Sequence, residues 1–144
     1  MCSIAANADL LPVAPALAIK KCLNKLNMSI EEINVLEINE AFACVPLVAC
    51  KLLACEAFLE EDYQAAVSKI DNYPLDSFNK DRYKRLVEKL NVNGGAIAVG
   101  HANTASGARL MMTAAEELRR RGGRVAACAI CGGLTQGDAC IIRV

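Results

Sequence analysis

An α/β domain is predicted by three features of this 144-residue chain. Apolar runs at 33–38, 124–130 and 139–144 have the length of buried strands. Between them, apolar residues recur at helical spacing, as Ile19, Cys22, Leu23 and Leu26 do. Glycine-rich turns around His101 and Cys131 then interrupt the apolar runs, as loops at strand ends do. An apolar fraction of 54% supplies ample material for one core.

Taken in order, 3–6 reads as a short strand within the apolar start 1–7, followed by a loop through Asp9 and Pro12. Pro15 suits a first helical turn, so 15–27 should be an amphipathic helix. Ser29 with Glu31 and Glu32 has the makings of a capped single turn. The strand 33–38 gives way at Asn39 to a helix expected from about Glu40. That helix is apolar almost all round (Phe42, Val45, Leu47, Val48, Leu52, Leu53) and should be deeply packed, with Pro46 tolerated in its first turns. From 56 to 90 the composition turns polar, with a break at Tyr73-Pro74 and one helix face formed by Tyr83, Leu86, Val87 and Leu90. This segment reads as a helical elaboration laid over the domain. After the small residues of 92–99, Thr104 or Ser106 can cap a helix running to Arg121, closed by Gly122-Gly123. Arg119, Arg120 and Arg121 then favour its negative end. The runs 124–130 and 139–144, joined by the Cys131 turn, should form a strand pair that completes the sheet.

Composition excludes several classes of function. Sixteen basic residues balance sixteen acidic ones, which gives a nucleic-acid partner little support. No apolar run approaches the roughly twenty residues of a bilayer span. Most of the eight cysteines, Cys22, Cys44, Cys50, Cys55, Cys128 and Cys140 among them, lie in apolar stretches as small buried residues do. No secretory leader is visible, so reduced thiols and a cytoplasmic location are expected. Cys128-x-x-Cys131 lacks the second ligand pair of a structural zinc site, and no metal is expected.

The chemistry concentrates at three places. Cys131 should sit at a strand end with the backbone N–H groups of Gly132 and Gly133 around it, a setting in which a thiol can exchange protons with a bound substrate. His101, the chain's one histidine, precedes a helix start, and as a neutral ring it could act as a base or donate to an oxyanion. Asn39, at the carboxyl end of a strand, could hold a water or donate to an oxyanion. The blander readings are a satisfied loop histidine, a turn cysteine and a helix cap.

Three ordered blocks resemble the signature regions of the thiolase C-terminal domain. They are Asn39-Glu40-Ala41-Phe42-Ala43; 91–98 with Gly100-His101 and 105–109; and Cys131 with Gly133, Gly137 and Ala139. The resemblance takes in 12–38 as well, so that 1–144 is one thiolase C-terminal domain with 56–90 as a helical insertion and a first strand expected to be truncated. It implies a three-layer α/β/α thiolase-like half with a mixed five-stranded sheet, one strand antiparallel. It implies that His101 activates a nucleophilic cysteine and shares an oxyanion hole with a water held by Asn39. Cys131 would shuttle the α-carbon proton, and Gly133, with Gly132 and Phe42, would bind the thioester. The reaction implied is reversible Claisen condensation of acyl-CoA, with CoA thioesters as substrates and no cofactor.

The acylated cysteine of that family belongs to an N-terminal domain, so an N-terminal half or partner subunit carrying it, and an oligomer, are implied; the chain alone should be inactive. The family usually has proline after the histidine and glycine shortly before Ser106, where this chain has Ala102 and Thr104. A non-catalytic scaffold with 56–90 as its docking surface is the alternative. Decarboxylating condensing enzymes, which use a second histidine or asparagine in place of Cys131, and lipid-carrier-associated thiolases, which have histidine in place of Asn39, fit less well.

Overall fold

The computed structural model describes residues 1–6 and 8–144, with backbone alone at 8 and 9. Asn7, which closes the first apolar run, lies outside the described residues. Four strands, β1 (Cys2–Ala5), β2 (Val35–Ile38), β3 (Val125–Gly132) and β4 (Gln136–Arg143), form one sheet in the order β1-β4-β3-β2. β4 runs antiparallel to both its neighbours, and β2 is parallel to β3. The sheet is therefore mixed with one reversed strand, as the resemblance implied, but among the described residues it has four strands and not five.

The physical reason lies at the outer edge of β2. Leu90 makes a single parallel bridge to Leu36, and the Asn91 N–H donates to the Leu36 carbonyl at 2.8 Å. Asn91 then turns the chain away with φ at 42°. Its carboxamide takes over the work of a neighbouring strand, since Oδ1 accepts from the Ile38 N–H at 2.9 Å and Nδ2 donates to the Ile38 carbonyl at 2.8 Å. One side chain thus satisfies an edge that would otherwise be left open. Asn91→Ala should destabilise the fold by about 2 kcal/mol in urea titration, because two backbone groups lose their partners. A loss below about 0.5 kcal/mol would mean that water serves Ile38 equally well.

Among the described residues, seven α-helices dress the sheet: α1 (Ala14–Leu26), α2 (Cys44–Leu53), α3 (Glu56–Glu60), α4 (Tyr63–Lys69), α5 (Lys80–Lys89), α6 (Ala96–Val99) and α7 (Ser106–Arg121). α1 and α2 bury one face, where Leu17, Ile19 and Leu53 share a core with Leu36, Ile38 and Ala127. α7 lies on the other, with Leu110, Ala114 and Leu118 against Val35, Ala126 and Cys128. The three layers follow from strand alternation, since successive residues of β3 face opposite helices. Gly137 on β4 lets α1 approach closely: a Cβ there would stand 2.8 Å from the Ala14 carbonyl oxygen.

Segment 56–90 folds largely as α3, α4 and α5, packed against α1 and α2. Lys20, fully buried on α1, fastens it by donating to the carbonyls of Leu59 (3.2 Å) and Glu61 (2.7 Å), with its ammonium over the Phe58 ring. Ser29 and Glu32 form the expected capping box. Gly122 closes α7 in the left-handed conformation at φ 69°.

Two local expectations fail. Helix α2 starts at Cys44, not near Glu40, and its first turn leaves Cys44 exposed, with Leu47 45% exposed. Neither Thr104 nor Ser106 caps α7, whose N-cap position is Ala105. No helix among the described residues is long and apolar enough to cross a membrane.

Candidate active site

Asn39 stands one residue beyond β2, where its N–H donates to the Ala129 carbonyl at 2.9 Å and so extends the pairing with β3. Its carboxamide is buried, and neither Oδ1 nor Nδ2 has a partner in the protein. Buried amides are normally satisfied, so this pair of groups is suited to an added water or ligand. Because α2 starts five residues later, Asn39 is no helix cap.

The adjoining Glu40 was not assigned a role from sequence, yet its carboxylate organises the loop ahead of the histidine. It accepts from Asn91 Nδ2 at 3.1 Å and from the Ile97 N–H at 2.9 Å. A Cβ at Gly95 would run into that carboxylate, which would have to shift to make room.

Gly100, at φ 88°, ends α6 and turns the chain into His101. The ring Nδ1 lies 2.7 Å from Ser106 Oγ. Ser106 is buried at the first position of α7, so its hydroxyl fixes the ring instead of capping the helix. A hydroxyl can donate or accept; the first leaves Nε2 as an N–H donor, the second leaves it as a base. Ser106 belonged to a recognised block, but chain spacing alone gave no sign that its oxygen serves the imidazole.

Cys131 is the penultimate residue of β3 and is 8% exposed. Burial pushes its thiol pKa up, opposed in part by a backbone hydrogen bond. His101 and Cys131 line one cavity of about 360 Å³, together with Asn103, Thr104, Gly132 and Asp138. Gly133 follows on an exposed turn, where a Cβ would meet nothing within 4 Å. Three non-glycine residues at positive φ flank the cavity: Asn103 (28°), Leu134 (58°) and Thr135 (55°). Such conformations cost free energy and concentrate at functional sites.

The structure thus brings together His101, Cys131 and Gly132, with Gly133 next along the turn. Asn39 occupies the neighbouring strand end but does not line this cavity. Phe42 does not line it either: it stands 63% exposed in the bend between β2 and α2.

An α/β domain with a thiol and an imidazole facing one cavity at the strand ends has the layout of an acyl-transfer domain. The family model described as "Thiolase, C-terminal domain" matches residues 1–144. A "Probable acetyl-CoA acetyltransferase" of Mycolicibacterium smegmatis is 38% identical over 129 residues, covering 90% of this chain and 26% of the relative. A "Beta-ketoadipyl-CoA thiolase" of Acinetobacter baylyi is 37% identical over 130 residues, covering 90% of this chain and 25% of the relative. The crystal structure of the Bacillus anthracis acetyl-CoA acetyltransferase superposes with a TM-score of 0.71 at 30% identity, covering 99% of this chain and 28% of that one. The chain belongs to the thiolase family, and matches its C-terminal domain. It spans about a quarter of the length of the curated relatives, 26% and 25% for the two above.

Proposed function

We propose that this chain is the C-terminal catalytic half of a thiolase-type acyltransferase acting on acyl-CoA, with the acylated cysteine supplied by an N-terminal domain or a partner subunit. The observation that carries the proposal is the shared cavity of His101 and Cys131. In thiolysis, a cysteine thiolate attacks the 3-oxo carbon of a 3-oxoacyl-CoA. The bond between the α-carbon and that carbonyl breaks, and Cys131 delivers its proton to the departing α-carbon. A thiol whose pKa is pushed up by burial enters that step in the required form. The Nε2 side of His101 faces the developing charge, Asn39 holds a water for the same oxyanion, and Gly133 offers its N–H to the thioester oxygen. CoA thioesters are the substrates, and no further cofactor is required.

The protein surface supports a covering partner. Phe42, Ile97, Val99, Met112 and Leu134 are each at least 63% exposed, on or next to the loops and helices that carry the site residues. Cys50 and Cys55 are poor substitutes for the nucleophile, because burial pushes both thiols up, Cys50 to about 12. The completed enzyme would be an oligomer working in the cytoplasm.

Mixing the chain with a thiolase N-terminal half should restore cleavage of acetoacetyl-CoA by CoA, followed at the enolate absorbance, while each half alone stays inactive. A complex that forms and remains inactive would favour the scaffold reading.

A further inference from the structure

Residues 91–101 run from the edge of β2 to the imidazole, and two side chains tie them to that strand end. Asn91 pairs with both backbone groups of Ile38 and donates to one carboxylate oxygen of Glu40 at 3.1 Å. The other oxygen of Glu40 accepts from the Ile97 N–H at 2.9 Å. On its far side the same loop is tied to α7, where Asn93 Nδ2 donates to the buried carboxylate of Glu117 at 2.9 Å.

Ile97 is the second residue of α6, a single turn of four residues. A helix that short does not hold its own shape or direction. An N-cap side chain ordinarily steadies the first turn, but the N-cap position here is Gly95, which has none. Glu40 supplies the missing acceptor from 57 residues away in the chain. The turn then ends at Gly100, whose N–H donates to the Ala96 carbonyl at 2.8 Å, and the next residue is His101. Ser106 holds the ring from the α7 side. Glu40 directly follows Asn39, whose own N–H is fixed to β3. One carboxylate therefore links the strand end that carries Asn39 to the turn that carries His101.

We propose that Glu40 is a positioning residue: acting through α6, it sets the His101 imidazole in register with the Asn39 carboxamide and touches no substrate itself. The proposal rests on the shared oxyanion role given to His101 and Asn39 above. Gly95 provides an independent handle on the same contact. A Cβ there would overlap the carboxylate carbon and both oxygens of Glu40. The φ of Gly95 is −141°, which any residue adopts, so alanine would press on Glu40 and leave the backbone unstrained.

The chain is labelled at histidine and completed with an unlabelled thiolase N-terminal half, so that its one histidine gives a single imidazole signal in NMR. Glu40→Ala should lower kcat for acetoacetyl-CoA thiolysis by about tenfold or more while KM stays within about twofold, because a displaced group costs rate before it costs binding. Gly95→Ala should do the same, and the double variant should be no slower than the slower single one, as residues acting through one contact behave. Both single variants should move the His101 ring signal. A kcat within about twofold of wild type in Glu40→Ala and Gly95→Ala, an unmoved ring signal, or losses that multiply in the double variant would each overturn the proposal. A wild-type complex with no thiolysis would instead overturn the reading beneath it, and the ring signal would still decide whether Glu40 sets the imidazole.

Discussion

In the reconstituted enzyme, His101→Ala is expected to lower kcat/KM for acetoacetyl-CoA thiolysis by about 10³-fold or more, and Cys131→Ser by a similar factor through a different step. A 10³-fold loss corresponds to about 4 kcal/mol of transition-state stabilisation. For His101, that figure combines a proton acceptor for the nucleophile with a donor to the oxyanion, so both acylation and carbon–carbon cleavage should fail. In the proposed mechanism, Cys131 handles only the α-carbon proton. Its serine replacement has the same reach, but a hydroxyl is far less acidic than even this buried thiol, so proton delivery should stall. Acylation from acetyl-CoA should survive in Cys131→Ser, while exchange of the acetyl-CoA α-hydrogens with deuterated water should be lost. If both variants exchange α-hydrogens at the wild-type rate, the assigned roles are wrong. Ser106→Ala provides an intermediate case: the ring keeps its place in the chain but loses its 2.7 Å anchor, so kcat should fall more than KM changes.

Most of the architecture was legible because strand and helix periods differ and this chain respects both. Residues 33–38 and 124–130 foretold β2 and β3 within a few positions, and Gly122 marked the end of α7 correctly. The sheet edge was not legible. Nothing in Leu90-Asn91 says that one carboxamide will serve Ile38 in place of a fifth strand, since that depends on contacts 53 residues apart. The start of α2 was missed for a related reason. Residues 39–43 have helical composition, but Glu40 is held by the Asn91 side chain and the Ile97 N–H, and that long-range tether outweighs weak local propensity. The ordered blocks singled out His101 and Cys131, which the fold places on one cavity. Phe42 was named for its block alone, and its exposed bend leaves it outside.

Glu37 carries the second large effect, expected in stability rather than rate. It lies in the middle of β2 with no exposure and with neither carboxylate oxygen partnered. Burial raises its pKa to about 7, opposed by the Arg109 charge and reinforced by Glu40 and Glu117. In the unfolded chain the same group titrates at 4.5, so below that pH both states are protonated and the titration of Glu37 contributes nothing. As pH rises from about 4.5 to about 7, the unfolded state ionises first and the native state loses stability, by about 3 kcal/mol once both are charged. Glu117 does not blur this window, because its carboxylate is held down to about 2 by the Asn93 hydrogen bond, with Arg120 and Arg121 assisting. Glu37→Gln removes the titration while keeping shape, so the variant should gain on wild type by about 3 kcal/mol between pH 4 and pH 8 in urea unfolding. Parallel pH curves for the two proteins would show that Glu37 is ionised and paired throughout. The gain would expose what the native residue does instead: Arg109, with Nε and Nη2 likewise buried and unpartnered, lines a second cavity with His101 and Ser106, and its charge is the one that opposes the rise at Glu37. On that account, the chain accepts a less stable native state above pH 7 to keep a carboxylate's charge available to a buried guanidinium.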